Sequence, residues 1–343
     1  MKAKGTFFLG NQTFETREFD LPPVGPHDAL IRNKVCGICG TDVHIYHGGK
    51  GSTDVTPPVI LGHEYSGVVV EVGSAVTNIA PGDHVTIDPN MYCGTCRHCR
   101  AGRKQMCESM QAVGVNQDGG FAEYSVVPAS QCLTVSPELD FESAAMSEPL
   151  ACCIHGIDRA NIRPGSNVCV IGGGPIGLLM VQLAKLSGAA QVVLSEPVAM
   201  RREIGLSLGA DHAVDPIAAP LSQQLQEILG AEGADVVIEC VGKTIATAQA
   251  FEAAGKGATI LLFSVPDPDA VYGMQLYDAF KKELTVVTSF VNPDTQSRAV
   301  ALLNSGAVKV APLISHRYPL EKLEEAIHKQ MANDSIKVVV TAE

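Results

Sequence analysis

Tryptophan is absent from this 343-residue sequence, and aromatic residues make up only 5% of it. A binding pocket walled by large aromatic rings is therefore not expected. Basic residues are also scarce, since 25 Lys and Arg stand against 37 Asp and Glu, for a formal net charge of −12. This balance argues against nucleic acid and anionic membranes as partners. No apolar run reaches the ~18 residues of a membrane span, and the apolar cluster at residues 7–9 is too short for a signal peptide.

The eleven cysteines lack the even spread of a disulfide framework. Because no secretion signal is expected, their clustering indicates metal binding in a cytoplasmic protein. Four of them follow the spacing Cys-x2-Cys-x2-Cys-x7-Cys, and four thiolates on one loop suit a tetrahedral zinc ion closed to solvent. An iron–sulfur cluster is the alternative, but ferredoxin spacing continues with x3 and Cys-Pro. We predict a structural zinc ion at Cys93, Cys96, Cys99 and Cys107.

Length and patterning predict two domains, because 343 residues are about twice the ~150 that form one domain. Residues 1–147 contain short β-type runs broken by Gly and Pro, which favours a barrel or sandwich. From about residue 150 to 285, apolar runs alternate with helical stretches, which indicates βαβ units and a parallel sheet. The rest predicts helices near 294–305 and 319–333, and a strand near 336–342 that could rejoin the first domain.

A glycine-rich turn of the form G-x-G-x-x-G follows an apolar run and precedes a helical stretch. Gly172 permits a tight turn, Gly174 lets the backbone approach a pyrophosphate, and Gly177 allows close packing of helix on strand. The helix N-terminus offers its free N–H groups to the phosphates. We therefore predict a dinucleotide site whose turn comprises Gly172, Gly174, Pro175, Ile176 and Gly177.

Glu196 ends the next predicted strand, 24 residues after Gly172. A carboxylate there can accept hydrogen bonds from both hydroxyls of the adenosine ribose and would repel a 2′-phosphate, which favours NAD over NADP. Arg201 and Arg202 weaken this preference, because arginine can pair with a 2′-phosphate. We include Arg201 in the predicted site and interpret Arg202 as a solvated charge on a helix.

Three further segments contain residue types that bind a reactive metal ion. They read CGICGTDVH at 36–44, GHE at 62–64 and SEPLACCIHG at 147–156. Cys, His and Glu together suit zinc with one coordination position open to water or an alcohol. Such an ion lowers the pKa of an alcohol and stabilises the alkoxide from which hydride leaves. Cys36 is interpreted as a packed thiol rather than a ligand.

These segments, the four-cysteine stretch and the GGGPIG turn together resemble the zinc-dependent medium-chain alcohol/polyol dehydrogenases over essentially the whole chain. The resemblance implies an architecture of the α/β plus β class. A GroES-like β-barrel catalytic domain is expected at 1–149 and 290–343, and a Rossmann domain with a doubly wound parallel sheet at 150–289. The resemblance also implies NAD as cofactor and two zinc ions per chain, one catalytic and one structural.

By the same resemblance, four residues match ligands of the catalytic zinc, the last of them alternating with water: Cys39, His63, Glu148 and Glu64. Cys152 and Cys153 are rival thiolates beside Glu148, and we interpret them as small buried helix residues.

Thr41 matches the family's hydroxyl that takes the substrate's proton, and His44 matches the base that delivers this proton to solvent. Asp42 matches an acid that orients the histidine ligand. The nicotinamide half of the cofactor is expected near predicted strand ends, at Val241, Phe263, Val265, Ser289 and Phe290.

The acidic third ligand and the CGICGTDVH stretch are more similar to sorbitol-type and threonine-type members than to primary-alcohol enzymes. The resemblance therefore implies interconversion of a hydrophilic secondary alcohol (a polyol, sugar alcohol or sugar acid) and its ketone by hydride transfer. L-Threonine 3-dehydrogenase and sugar-alcohol phosphate dehydrogenase stay open as alternatives. A non-catalytic NAD-binding redox sensor is a further alternative, although the ligands and the proton relay are intact. The expected partners are a small-molecule alcohol and further copies of the chain, in a homodimer or homotetramer.

Overall fold

A computed structural model describes residues 1–230 and 233–342, and the chain divides into two units. One unit comprises Met1–Ala151 together with the segment from Val291 onward, and the other comprises Cys152–Phe290. Within the described residues, every helix is too short or too polar to span a bilayer.

Short strands and short helices make up the N-terminal part of the first unit. The strands are β1 (Lys2–Gly10), β2 (Thr13–Asp20), β3 (Asp28–Gly37), β4 (Val59–Ile60), β5 (Glu64–Val72), β6 (His84–Ile87), β7 (Asn90–Met91), β8 (Gln111–Ala112), β9 (Tyr124–Pro128) and β10 (Cys132–Thr134). The helices are α1 (Gly40–Tyr46), α2 (Arg97–Arg100), α3 (Phe141–Ala145) and α4 (Ser147–Ala160), the last of which continues into the second unit.

The second unit alternates strands with helices. In chain order these are β11 (Asn167–Ile171), α5 (Pro175–Leu186), β12 (Gln191–Ser195), α6 (Ala199–Ser207), β13 (His212–Val214), α7 (Leu221–Leu229), β14 (Ala234–Glu239), α8 (Thr244–Ala253), β15 (Ala254–Leu262), α9 (Leu276–Lys282) and β16 (Thr285–Thr288). All neighbouring strands are parallel, in the order β13-β12-β11-β14-β15-β16. This is the doubly wound order of dinucleotide-binding sheets, which confirms the predicted parallel sheet.

The strand β11 shows why this sequence forms a central strand. Its residues Val168–Ile171 are all buried, as expected where helices cover both faces of a parallel sheet. At the carboxyl edge of such a sheet the strands end side by side, so the turns after β11, β12, β14 and β15 share one edge.

The chain then contributes its last elements to the first unit: α10 (Gln296–Asn304), β17 (Ile314–Pro319), α11 (Leu323–Gln330) and β18 (Lys337–Thr341). In the seven-stranded sheet β10-β6-β5-β3-β18-β17, strand β18 pairs antiparallel with β3 and parallel with β17, while β9 also pairs with β3. Two smaller sheets, β2-β1-β4 and β7-β8, complete the unit. The helix predicted at 319–333 is a 3-10 turn at Leu320–Lys322 followed by α11.

Candidate functional site

Three of the predicted metal ligands lie together in the first unit. The ligand atoms of Cys39, His63 and Glu64 are all within 4.8 Å of one another. Cys39 directly precedes α1, and Glu64 is the first residue of β5, where it pairs with Gly37 at the end of β3. The pairing of β3 with β5 therefore brings a thiol, an imidazole and a carboxylate from two sequence segments to one place.

Asp42 links the backbone at Cys39 to the ring of His63. Its side chain is fully buried; Oδ2 accepts a hydrogen bond from the Cys39 N–H at 2.8 Å, and Oδ1 lies 3.6 Å from His63 Nδ1. Burial raises the pKa of Asp42, although His63 and the Cys39 N–H oppose the shift. The 3.6 Å separation is too long for a hydrogen bond, but the negative charge of Asp42 facing Nδ1 favours a proton on that nitrogen, which leaves the Nε2 lone pair for a metal ion.

His63 is surrounded by groups that become negatively charged. Burial alone lowers the pKa of His63, but the charges of Asp42, Cys39 and Glu148 outweigh it, so this pKa is well above its usual value. Asp42 Oδ1 and His63 Nδ1 are both buried atoms with no hydrogen-bond partner. The donor set and its excess negative charge therefore fit a bound zinc ion, which would replace the proton on the imidazole.

Glu148 lies outside this group of three. It is in the first turn of α4 and only 6% exposed, and its charge raises the pKa of His63. The structure thus places Glu148 within electrostatic reach of the predicted histidine ligand, while Glu64 is the carboxylate whose oxygen lies within 4.8 Å of the ligand atoms of both Cys39 and His63.

Lys337 is a residue of this site that sequence reasoning missed. It is the first residue of β18, is only 2% exposed, donates a hydrogen bond to the Ile38 carbonyl at 2.9 Å and forms an ion pair with Glu64. Burial lowers the pKa of Lys337, but the charges of Glu64 and Cys39 outweigh it and the net pKa is raised. In the sequence, the one feature that could have indicated a buried lysine is that Lys337 directly precedes the apolar run Val338–Val340.

Thr41 and His44 lie on α1 and are both half-buried. The loop after this helix folds back on them: a methyl group on Gly49 would overlap the His44 ring, and one on Gly51 would lie 3.5 Å from Thr41 Cγ2. The Gly49 N–H donates a hydrogen bond to the His44 carbonyl at 2.9 Å. Gly49 therefore lets the loop pack directly on the His44 ring. At Gly51 the close neighbour is Val115, whose Cγ1 would lie 2.5 Å from a methyl group.

The four cysteines of the predicted structural site also converge. The sulfur atoms of Cys93, Cys96, Cys99 and Cys107 lie within 4.8 Å of one another. N–H groups of Thr95 and Cys96 lower the pKa of Cys93 to about 6, which favours the thiolate that zinc requires. The four-thiolate arrangement fits a closed tetrahedral zinc site.

The glycine turn follows β11 as predicted from its spacing. Gly172 has φ +102°, Gly174 precedes the first residue of α5, Pro175, and a methyl group on Gly177 would overlap the Gly172 carbonyl oxygen. Only glycine fits at 172 and 177 without displacing this turn. Ile176 is in the first turn of α5.

Glu196 lies directly against the glycine turn. Its side chain is 3% exposed, Oε2 accepts a hydrogen bond from the Gly173 N–H at 2.6 Å, and Oε1 accepts one from the Val198 N–H at 2.8 Å. Each carboxylate oxygen has a second lone pair, so these bonds leave acceptor capacity for ribose hydroxyls.

The two neighbouring arginines of α6 were predicted to have different roles, and Arg202 has clear contacts in the structure. Arg202 donates hydrogen bonds to the carbonyls of Glu196 and Pro197, at 2.7 and 2.8 Å, and its guanidinium lies 3.4 Å from Asp215. These contacts fix the loop after β12, so Arg202 is more than a solvated charge. Arg201 is half-buried on the same helix.

The remaining predicted cofactor residues follow β14, β15 and β16. Val241 is 41% exposed. A methyl group on Gly172 would lie 2.8 Å from Val241 Cγ2, so the Val241 side chain packs close to the glycine turn. A methyl group on Gly156 would overlap the Phe263 ring, and Val265 and Phe290 are 76% and 40% exposed. Ser289 Oγ is buried with no hydrogen-bond partner. Val241 and Phe263 thus follow neighbouring parallel strands, as does Gly172.

Glu239 is a second carboxylate of this edge that sequence reasoning did not assign to the site. It is 2% exposed, and its Oε1 accepts hydrogen bonds from the N–H groups of Val241 and Gly242 at 2.6 and 2.8 Å. Burial raises the pKa of Glu239, although the two N–H donors oppose the shift. Its function in the fold is to hold the turn after β14.

Two family models of dehydrogenase domains match this chain, and known proteins resemble it over nearly its whole length. A family model for the alcohol dehydrogenase GroES-like domain matches residues 25–137, and one for zinc-binding dehydrogenases matches residues 175–305. D-arabinitol dehydrogenase 1 of Uromyces fabae is 34% identical over 331 residues, covering 95% of this chain and 93% of that protein. This chain belongs to the zinc-dependent medium-chain alcohol/polyol dehydrogenases. The resemblance and the fold predicted from the sequence are therefore confirmed.

Further relatives of this dehydrogenase include one with a different named substrate and one whose structure contains NADP. L-threonine 3-dehydrogenase of Pyrococcus furiosus is 35% identical, covering 95% of this chain and 94% of that protein. The crystal structure of a protein described as a zinc-binding dehydrogenase, from Sinorhizobium meliloti 1021 and bound to NADP, is 40% identical with a TM-score of 0.95, covering 99% of each chain. Dehydrogenase activity on small alcohols is thus a property of the family.

Proposed function

We propose that this dehydrogenase interconverts a hydrophilic secondary alcohol, such as a polyol, sugar alcohol or sugar acid, and its ketone. The observation that carries the proposal is the convergence of Cys39, His63 and Glu64, with Asp42 behind the histidine. These groups offer a thiolate, an imidazole and a carboxylate, which are the three kinds of ligand that zinc accepts in proteins.

In this proposal Cys39 and His63 hold the catalytic zinc ion together with Glu148, and Glu64 exchanges with water. When bound, zinc lowers the pKa of the alcohol and NAD accepts the hydride. Asp42 holds His63 in the metal-binding tautomer. Removal of the alcohol's proton is assigned to the Thr41 hydroxyl, and His44 delivers this proton to water. Lys337 neutralises Glu64 and keeps it from being a permanent ligand.

The cofactor we propose is NAD. Glu196 is a buried acid at the end of β12, bonded to the glycine turn. Its negative charge favours ribose hydroxyls over a 2′-phosphate. The similar Sinorhizobium meliloti structure contains NADP. Comparing the activity of this enzyme with NAD and with NADP therefore tests the role proposed for Glu196. Arg201 is the residue of the site that could favour NADP.

A second zinc ion is proposed at the four-cysteine site, for a total of two per chain. Its four ligands leave no position for substrate, so its function is to hold the loop between β7 and β8. We also propose a cytoplasmic location. The eleven cysteines form no disulfide bond, which suits a reducing compartment.

A second copy of the chain is proposed as the protein partner, in a homodimer or homotetramer. In the described part of the chain, β16 pairs only with β15, so its other edge is open to strand pairing. Exposed apolar side chains cluster in the same stretch of sequence: Leu276, Tyr277, Phe280 and Val286. Open edges and apolar patches of this kind are usually covered in soluble proteins.

The substrate is tested by following NADH formation by the purified enzyme with polyols, sugar acids, L-threonine and sugar-alcohol phosphates. We expect the highest kcat/KM with a polyol or sugar acid. Preference for L-threonine would instead agree with the Pyrococcus furiosus relative. Cys39→Ser should abolish turnover while NADH binding, measured by fluorescence, persists. Near-normal turnover in this variant would remove Cys39 from the site, and inactivity of the wild type on every substrate would favour the non-catalytic sensor.

A further inference from the structure

Buried hydrogen bonds join the helical turn that carries Glu148 to the strand that begins with Glu64. Ser147 Oγ lies 2.5 Å from Thr86 Oγ1, and Thr86 Oγ1 donates to the Tyr65 carbonyl at 3.2 Å. Because the single hydroxyl proton of Thr86 is used on Tyr65, the proton between the two hydroxyls comes from Ser147. Ser147 and Thr86 are fully buried.

The same chain of hydrogen bonds continues on the other side of Ser147. Gln296 Nε2 donates to Ser147 Oγ at 3.0 Å, Asn292 Nδ2 donates to Gln296 Oε1 at 3.1 Å, and Asn90 Nδ2 donates to Asn292 Oδ1. These three amides are at most 4% exposed. The donors run in one direction, from Asn90 to the Tyr65 carbonyl.

This series of hydrogen bonds lies beside two residues of the proposed metal site. Ser147 directly precedes Glu148, and the Tyr65 carbonyl belongs to the residue after Glu64. The two carboxylates come from α4 and β5, and the pair Ser147–Thr86 is a direct side-chain link between α4 and β6, which pairs with β5. Loss of one hydroxyl would leave buried partners without a hydrogen bond and free α4 to shift.

We propose that Ser147, Thr86 and Gln296 are positioning residues that hold the Glu148 carboxylate at the catalytic metal and thereby set the metal's affinity and coordination. The inference rests on the proposed function, in which Glu148 is a ligand. None of the three touches a reacting atom; they act through the first turn of α4. Partners behind a ligand typically change metal affinity by about 10–100-fold when they are removed.

The experiment compares Thr86→Val, which keeps the shape and removes the hydroxyl, with Thr86→Ser, which keeps the hydroxyl. Thr6→Val is the matched control, because Thr6 is also buried and its hydroxyl also lies between another hydroxyl, that of Thr16, and a carbonyl, that of Leu320. Each full-length variant is loaded with zinc and titrated with a chelator, and its cobalt-substituted form is examined by visible absorption. Thermal unfolding shows whether each variant folds.

For Thr86→Val we expect one zinc ion per chain to be lost at about tenfold lower chelator concentration, with altered cobalt d–d bands. Thr86→Ser should restore both measurements, and Thr6→Val should lower the melting temperature without changing either. Ser147→Ala removes the other hydroxyl of the same hydrogen bond. It is used as the test variant if Thr86→Val does not fold.

Two outcomes separate this inference from the proposed function. If Glu148→Ala changes chelator sensitivity and the cobalt spectrum but Thr86→Val and Ser147→Ala do not, the positioning role is wrong and the ligand assignment stands. If Glu148→Ala changes neither measurement, Glu148 is not a ligand, and both the assignment and the inference fail.

Discussion

The ammonium group of Lys337 is paired with the carboxylate of Glu64, and each side chain is only 2% exposed. The pair connects the last strand of the chain to the first residue of β5. Gly37 makes room for it, since a methyl group there would lie 2.5 Å from Glu64 Oε2 and 2.8 Å from Lys337 Cε. A charge that is this deeply buried depends on its partner.

We therefore expect Lys337→Met to lower the free energy of unfolding by about 3–5 kcal/mol, because it leaves Glu64 as an uncompensated buried charge. The double variant Lys337→Met with Glu64→Gln should recover most of this loss, since neither charge remains. Chemical denaturation of the wild type and both variants, each freed of metal by a chelator, measures both effects, because a zinc ion bound by Glu64 would itself compensate the charge. Equal stability of the single and double variants would show that Glu64 does not depend on Lys337.

Gly49 controls the position of His44. Its φ lies outside the left-handed region that favours glycine, so alanine is compatible with the backbone and the effect of Gly49→Ala comes from overlap with the His44 ring. We expect alcohol oxidation by Gly49→Ala to slow about tenfold or more, because positioned proton transfer contributes roughly 100-fold or more to rate. Its pH–rate profile should resemble that of His44→Ala.

Gly273→Ala is the matched control for this prediction, because a methyl group there has no neighbour within 4 Å. It should retain the wild-type rate and pH profile. A wild-type profile in both Gly49→Ala and His44→Ala would remove His44 from the proton relay.

Site residues that belong to a short sequence motif could be predicted from the sequence. Site residues whose partners are distant in the sequence could not. The four-cysteine spacing and the G-x-G-x-x-G turn each specify a local geometry, so Cys93 and Gly172 could be identified from sequence. Lys337 meets Glu64 only because β18 inserts beside β3, and Ser147 meets Thr86 only because α4 packs near β6. Such contacts depend on tertiary topology, which a local pattern does not encode.

Glu196 should determine the choice of cofactor. Glu196→Gln removes the charge and keeps one oxygen that can accept the Gly173 N–H, at the loss of the bond to Val198. We expect the kcat/KM ratio of NAD to NADP to fall by about tenfold or more. A hydrogen bond to a charged group contributes about 1.5–3 kcal/mol, which corresponds to this range. Steady-state kinetics with both cofactors measures the ratio. Glu203→Gln, an exposed residue of α6, should leave it unchanged; equal ratios in both variants would argue against the ribose contact.

Phe280 should contribute to self-association. It is 82% exposed on α9, beside Leu276 and Tyr277, which are 73% and 71% exposed. Phe280→Asp places a charge in this patch, and we expect the subunit dissociation constant to rise about 30-fold, since a central aromatic residue of an interface contributes about 2 kcal/mol or more. Sedimentation velocity measures the change. Ile217→Asp, at a position that is 80% exposed elsewhere, is the control; identical behaviour of the two variants would place the interface on another surface.

Asp88 should make the free energy of unfolding depend on pH, and comparison with Asp88→Asn separates this contribution from those of other groups. Burial raises its pKa from 3.8 to about 6, although the Asn90 N–H and the Asn292 side chain donate hydrogen bonds to it. Because the folded state binds the proton more tightly than the unfolded state, Asp88 reduces stability as pH rises from about 4 to 6, and the full cost persists above pH 6. This cost is on the order of 2–3 kcal/mol.

Asp88→Asn mimics the protonated acid and keeps an oxygen acceptor for Asn90 and Asn292. We therefore expect the variant to be more stable than the wild type above pH 6 and equally stable near pH 4, where Asp88 is protonated or nearly so in the folded protein. Urea unfolding at pH 4, 6 and 8 measures the difference. Asp267→Asn, at an exposed position, should show no such trend. A stability difference for Asp88→Asn that does not grow between pH 4 and 6 would mean that Asp88 is ionised in the fold without this cost.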